Sequence, residues 1–185
     1  GRENNMEQKV IMAGFGGQGV MAIGRLLAYA GMLEGKNVTW MPSYGPEMRG
    51  GTANCAVVVS EEEVGSPLIS KDGTAAIVMN LPSMTKFEKE LISDGKLIIN
   101  KSLIDVEPTR KDLDVYYIEA NELAAELGNS KVANMVMLGA YLEITKAVDV
   151  ESILKAFVKV FGEDKSELIP LNKEALMKGA LAAKK

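Results

Sequence analysis

Histidine is absent from the 185 residues, and cysteine occurs once, as Cys55. Without histidine the chain lacks the commonest general base and the commonest metal ligand. A single cysteine excludes a disulfide within the chain, and excludes a cysteine-ligated iron–sulfur cluster built by this chain alone. A zinc site would have only carboxylates to draw on, a poor donor set. Cys55 lies in an apolar run, residues 53–59, and reads as a buried, inert thiol. No stretch reaches the roughly 18 apolar residues of a membrane span. Residues 1–8 are polar and lack the apolar core of a signal peptide, so a cytoplasmic protein without a membrane partner is expected. The net charge of -4 implies no basic face for nucleic acid. Glu61, Glu62 and Glu63 form the only dense acidic cluster and read as a solvated turn.

What is present suits a globular core. Hydrophobic residues make up 47 % and charged residues 25 %, which is ordinary for such a protein. With no internal repeat and no linker, one domain over residues 1–185 is expected. The organising stretch is residues 9–29. An apolar run at 10–13 reads as a short buried strand. A glycine turn follows, with Gly14, Gly16, Gly17, Gln18 and Gly19, and then a helix from about residue 18 to 33. Strand, glycine turn and helix open an α/β nucleotide-binding fold. The glycines let the backbone approach an anion, and the helix N-terminus adds roughly half a positive charge there. The same turn can also serve only to pack a helix on a sheet.

Two absences redirect that motif. A dinucleotide fold needs an acidic residue at the end of the second strand, to hold the ribose hydroxyls. Here the second strand, residues 37–41, runs out as Trp40-Met41-Pro42-Ser43, with no Asp or Glu. There is also no G-x-x-x-x-G-K-[ST] phosphate loop. The loop that follows, S-Y-G-P-E-M-R-G-G-T over residues 43–52, gathers Ser43, Tyr44, Glu47 and Arg49 beside Gly50 and Gly51. A strand's carboxyl end is the ligand-binding edge of an open α/β sheet, and Arg49 offers a fork of donors for a phosphate or carboxylate. A tight turn carrying a Glu–Arg surface pair is the alternative.

Further strands are expected at 53–60, 75–80, 96–100 and 114–118, with 61–70 as a connection or a short strand pair. Ser83 is expected to cap the helix that runs to about residue 91, and Asp94-Gly95 to turn the chain. Asn80 and Asn100 end their strands, either facing a ligand or forming turns. Helices are expected at 119–127, at 131–146 with Ser130 as its cap, from 149–151 to about 161, and at 171–183. The 131–146 helix is apolar nearly all round and must be buried on more than one side, either within the chain or by a partner. The fold class is α/β, a Rossmann-like and mostly parallel sheet flanked by helices, with a helical C-terminal part.

Three segments together carry a family resemblance: G-F-G-G-Q-G at 14–19, S-Y-G-P-E-M-R-G-G at 43–51, and K-V-A-N-M-V-M-L-G-A at 131–140. They resemble the gamma subunit of 2-oxoacid:ferredoxin oxidoreductases over nearly the whole chain, with the spelling of the second segment closer to the 2-oxoglutarate branch than to the pyruvate or indolepyruvate branches. The resemblance implies a heteromeric enzyme that decarboxylates a 2-oxoacid on thiamine diphosphate, passes electrons through iron–sulfur clusters to ferredoxin, and hands the acyl group to coenzyme A. It implies alpha and beta subunits carrying thiamine diphosphate, clusters on a partner such as a delta subunit, and no catalytic residue or metal ligand in this chain. Gly14, Gly16, Gly17, Gln18 and Gly19 would face the coenzyme A phosphates or a partner subunit. Ser43, Tyr44, Glu47, Arg49, Gly50 and Gly51 would line the junction, with Arg49 as the anion contact. A free-standing nucleotide-binding oxidoreductase and a purely structural subunit remain the other readings, and a homodimer of the isolated chain stays open.

Overall fold

The computed structural model describes residues 7–44 and 52–184. Six strands form one sheet in the order β2-β3-β1-β4-β5-β6. They are β1 (Gln8–Phe15), β2 (Asn37–Tyr44), β3 (Thr52–Ser60), β4 (Gly73–Val78), β5 (Leu91–Asn100) and β6 (Asp114–Ile118). β1, β4, β5 and β6 pair in parallel, while β3 runs antiparallel between β1 and β2. The sheet is thus mostly parallel, as expected, with one strand reversed. Residues 61–72 form no strand.

Alternation along β1 divides the core. Val10 and Met12 face a large layer built by α1 (Val20–Leu33), α3 (Ala120–Glu126), α4 (Ala133–Thr145), α5 (Val150–Phe161) and α6 (Ile169–Ala182). Ile11 and Ala13 face a smaller cluster under α2 (Leu81–Phe87), with Met84 and Ile104. Cys55 is fully buried in the large layer; burial pushes its thiol up to about 12, and its Sγ–H donates to the Val20 carbonyl at 3.6 Å. A thiolate there is excluded at neutral pH.

Three local readings are corrected. The cap of α2 is Asn80, whose Oδ1 accepts the Ser83 N–H at 3.0 Å, while Ser83 is itself buried. Asn80 is the extended residue before the helix, which is where a capping acceptor must sit. Ser130 does not cap α4. Asn129 Oδ1 accepts the Lys131 N–H at 2.9 Å, and 130–132 is a tighter 3-10 turn before the helix. Asp94-Gly95 does not end a turn before a strand at 96. β5 begins at Leu91 and absorbs the pair as an irregularity, with Asp94 at φ 65.

Helix α4 lies inside the chain. It packs on the sheet side and against α6, so the described residues cover it without a partner. α5 is held to the end of α1 by Glu34: its Oε2 accepts the Asp149 N–H at 2.8 Å and the Ser152 hydroxyl at 2.6 Å, and Lys36 Nζ lies 3.1 Å from Oε1. Burial pushes the Glu34 carboxyl up, but these bonds and the Lys36 ammonium outweigh it and hold the group below its ordinary value of 4.5. A depressed folded-state pKa adds stability above the unfolded value, lost as pH falls through the folded one. Glu34→Gln is therefore expected to cost about 1 kcal/mol at pH 7. Urea midpoints taken from pH 7 downward should show that gap closing once pH drops below about 4.5. A gap independent of pH would refute the role of the charge.

Candidate functional site

β1 feeds α1 on one face of the sheet and the chain turns toward β2; β4 feeds α2 on the other face and the chain turns toward β5. The carboxyl ends of β1 and β4 therefore flank a topological switch point, where open α/β sheets leave a crevice. The two ends are joined by the Met79 N–H, which donates to the Ala13 carbonyl at 2.9 Å.

The predicted glycine turn sits at this crevice. Gly14, next to last in β1, lies so close to the residue after β4 that a Cβ would stand 2.9 Å from the Met79 Cβ. Residues Gly16–Gln18 form a 3-10 turn. Gly17 has open space around it. Gly19 has φ 74, left-handed backbone that favours glycine, and is the N-cap of α1. The turn is partly closed on itself: Gln18 Oε1 accepts the Phe15 N–H at 2.6 Å, and the Gly19 carbonyl accepts Asn134 Nδ2 at 3.2 Å.

A cavity of about 260 Å³ opens against the turn. Gly17 and Gln18 form one wall, Met79 and Asn121 the floor, and Lys131 and Asn134 the far wall. The first residues of α4 and the turn that leads into α1 line it, and the lining contains one ammonium and no carboxylate. That is a positive site, suited to an oxyanion. Its floor is rigid. Asn100 is fully buried and donates Nδ2 to Asn121 Oδ1 at 3.0 Å, and its own Oδ1 accepts the Ser102 N–H at 3.3 Å. Asn100 is therefore a brace rather than a ligand contact. Asn80 Nδ2 is buried beside β4 with no partner among the described residues.

Ser43 and Tyr44 end β2 at the same edge, and Tyr44 is 73 % exposed. Tyr44 pairs with Ala53, which pairs with Gly14, so Tyr44 stands two strands, roughly 10 Å, from the glycine turn. The interposed β3 explains why no acid is needed at the end of β2: that end is not adjacent to the β1 turn, as it would be in a dinucleotide site. Neither Ser43 nor Tyr44 lines the cavity. Glu47, Arg49, Gly50 and Gly51 lie outside the described residues. Lys131, Asn134 and Asn121 were not among the expected site residues. Lys131 and Asn134 belong to the third of the segments that carry the family resemblance, but only folding brings them across more than 110 residues to the turn. Among the described residues no group of His, Cys, Asp or Glu is arranged to hold a metal ion.

Comparison with known proteins gives one family. The model described as Pyruvate ferredoxin/flavodoxin oxidoreductase matches residues 9–182. The chain is 37 % identical over 181 residues to ketoisovalerate oxidoreductase subunit VorA of Methanothermobacter marburgensis, covering 97 % of this chain and 37 % of that one. It is 31 % identical over 160 residues to 2-oxoglutarate synthase subunit KorC of Methanocaldococcus jannaschii, covering 85 % of each. Among solved structures, the gamma subunit of a keto/oxoacid ferredoxin oxidoreductase from Geobacter sulfurreducens superposes with a TM-score of 0.79 at 26 % identity, over 95 % of this chain and 98 % of that one. The chain thus spans a little over a third of the VorA relatives and most of the KorC relatives. The relatives are named for ketoisovalerate, 2-oxoglutarate and pyruvate, so the lean of the 43–51 segment toward 2-oxoglutarate gains no support from them.

Proposed function

We propose, given that this chain belongs to the pyruvate ferredoxin/flavodoxin oxidoreductase family, that it is one gamma-type domain over residues 1–185 in a heteromeric 2-oxoacid:ferredoxin oxidoreductase. The enzyme would decarboxylate a 2-oxoacid, pass the electrons to ferredoxin and release an acyl-coenzyme A, in the cytoplasm. Among the described residues no helix is long and apolar enough to cross a membrane. Iron–sulfur clusters do not fit this chain's donors, since its one thiol is buried and protonated, and thiamine diphosphate is placed with them on other subunits. They belong to alpha, beta and delta partners in this reading.

The chain's own part is electrostatic. The positive cavity at the glycine turn takes phosphate oxygens of coenzyme A, with Lys131 and the backbone of the turn at Gly17 and Gln18 as the anion contacts; the presence of Lys131 beside that turn in a lining without carboxylates is the observation that carries the proposal. Arg49 adds a guanidinium from the neighbouring connection, and Ser43, Tyr44 and Glu47 line the junction with a partner. A 2-oxoglutarate:ferredoxin oxidoreductase from Magnetococcus marinus, similar in fold at a TM-score of 0.84, has been solved with coenzyme A bound. In the assembled enzyme, Lys131→Gln and Arg49→Ala are each expected to raise KM for coenzyme A about tenfold with little change in kcat, as lost ground-state binding does. Unchanged KM and unchanged assembly in both variants would end this reading.

A purely structural role has one observation in its favour. Gln18 and Asn134 already occupy polar groups of the turn. Hydrogen exchange of the whole complex separates the two readings: protection of residues 16–23 by coenzyme A supports the anion site, and its absence supports the structural role.

A further inference from the structure

A second cavity, of about 330 Å³, lies behind the first, between α1, α4, α5 and α6. Its body is mainly apolar, with Leu26 from α1, Met135 from α4, Phe157 and Phe161 from α5 and Leu171 from α6, and three asparagines complete the lining. The two phenyl rings meet at 4.8 Å between centroids, tilted by 56°. Lys131 and Lys165, both exposed, lie at its mouth, and no carboxylate is among its lining residues. Neither lysine has an ion-pair partner among the described residues.

This combination selects its ligand by class. The volume falls at the lower end of the range for small-molecule sites, roughly 300 Å³ and upward, and is too small for a nucleotide with its polyphosphate. The apolar body favours hydrocarbon by the area it removes from water. Two uncompensated ammonium groups at the mouth favour an anionic head. We propose that the cavity binds a small monocarboxylic acid with an apolar body, aliphatic or aromatic, its carboxylate at the mouth formed by Lys131 and Lys165.

The site is distinct from the cleft at the glycine turn but shares a wall with it. Lys131 and Asn134 line both, and Asn134 Nδ2 donates to the Gly19 carbonyl. A bound acid therefore lies beside the residue that bonds to the turn. The inference stands on this geometry and not on the coenzyme A reading.

Titration calorimetry on the full chain tests it, with 4-phenylbutanoate as the probe and 4-phenylbutan-1-ol as its uncharged counterpart. The acid is expected to bind, and the alcohol to bind at least tenfold more weakly. The double variant Lys131→Gln/Lys165→Gln, changed only at exposed positions, is expected to lose the acid about tenfold while binding the alcohol as before. Ala22→Leu, which fills the cavity from α1, is expected to abolish both. Equal affinity for acid and alcohol, wild-type affinity in the lysine variant, or no binding of the acid by the folded chain at about 10 mM overturns the proposal. Should Ala22→Leu fail to fold, the lysine variant and the acid–alcohol comparison decide alone.

Discussion

Gly139→Ala is expected to destabilise the protein by on the order of 3 kcal/mol, although alanine is the better helix former by about 1 kcal/mol. α4 and α6 cross with backbone against backbone. A Cβ on Gly139 would overlap the Leu176 carbonyl oxygen and lie 2.6 Å from the Leu176 Cα, and a Cβ on Gly179 would overlap the Val136 carbonyl oxygen and lie 2.9 Å from the Ala140 nitrogen. No flexible side-chain end is in the way; the obstacles are main-chain atoms of two buried helices. Relief requires the helices to part. That opens the packing of Val136, Ala140, Ala175 and Leu176, which are all fully buried or nearly so. Gly179→Ala should cost a similar amount. The double variant should cost less than the sum, because one separation of the helices accommodates both methyls. Gly17→Ala is the control: open space surrounds Gly17, so stability should move by under about 0.5 kcal/mol. Denaturant midpoints measure all four. A neutral Gly139→Ala would mean that the helices do not approach this closely.

Glu88→Ala is the second large effect. Glu88 is 3 % exposed, and its Oε1 accepts the Thr109 N–H at 3.0 Å, the Thr109 hydroxyl at 2.8 Å and the Arg110 N–H at 3.1 Å. Its own carbonyl accepts Arg110 Nη1 at 3.0 Å, and the same nitrogen reaches the Leu91 carbonyl at 2.6 Å. One carboxylate thus pins the 101–113 connection onto the start of β5. Alanine strands three donors at once, with an expected loss of on the order of 3 kcal/mol. Glu88→Gln keeps an acceptor oxygen and should lose about 1 kcal/mol. Amide exchange supplies the specific sign: protection should fall at Thr109 and Arg110 first, with the β1–β4 centre little changed. Uniform loss across the sheet, or a small effect of alanine, would contradict the role.

Much of this molecule was open to reading along the chain. The β1–glycine turn–α1 unit, the strand at 114–118 and the helix at 150–161 follow from apolar periods and glycine stops within a dozen residues. Such signals are local, and so survive without knowledge of the fold. Errors fell where a local choice had two solutions of similar energy. Asn80 and Ser83 can each cap a helix, and burial of Ser83 under α2 decided between them. Residues 91–95 read as a helix end and a turn, yet pairing with β4 drew them into β5.

The candidate site divides in the same way. Gly14, Gly16, Gly17, Gln18 and Gly19 stand out as candidates because phosphate-binding turns have a spacing, and of these Gly17 and Gln18 line the cavity; the burial of Cys55 is legible from its apolar neighbours. Lys131, Asn134 and Asn121 were not, since no spacing rule links residue 18 to residue 134. Glu88 carried no signal at all; its three donors lie more than 20 residues away. The sequence by itself determined the α/β class and the position of the glycine turn, because periodicity and motif spacing are properties of the chain, while the family followed from the likeness of three segments to known relatives. Only the tertiary structure decided that β3 runs backwards between β1 and β2, that α6 rather than a partner covers α4, and that Lys131 faces the turn. Those depend on which surfaces can be buried together, a choice settled by packing across the whole core.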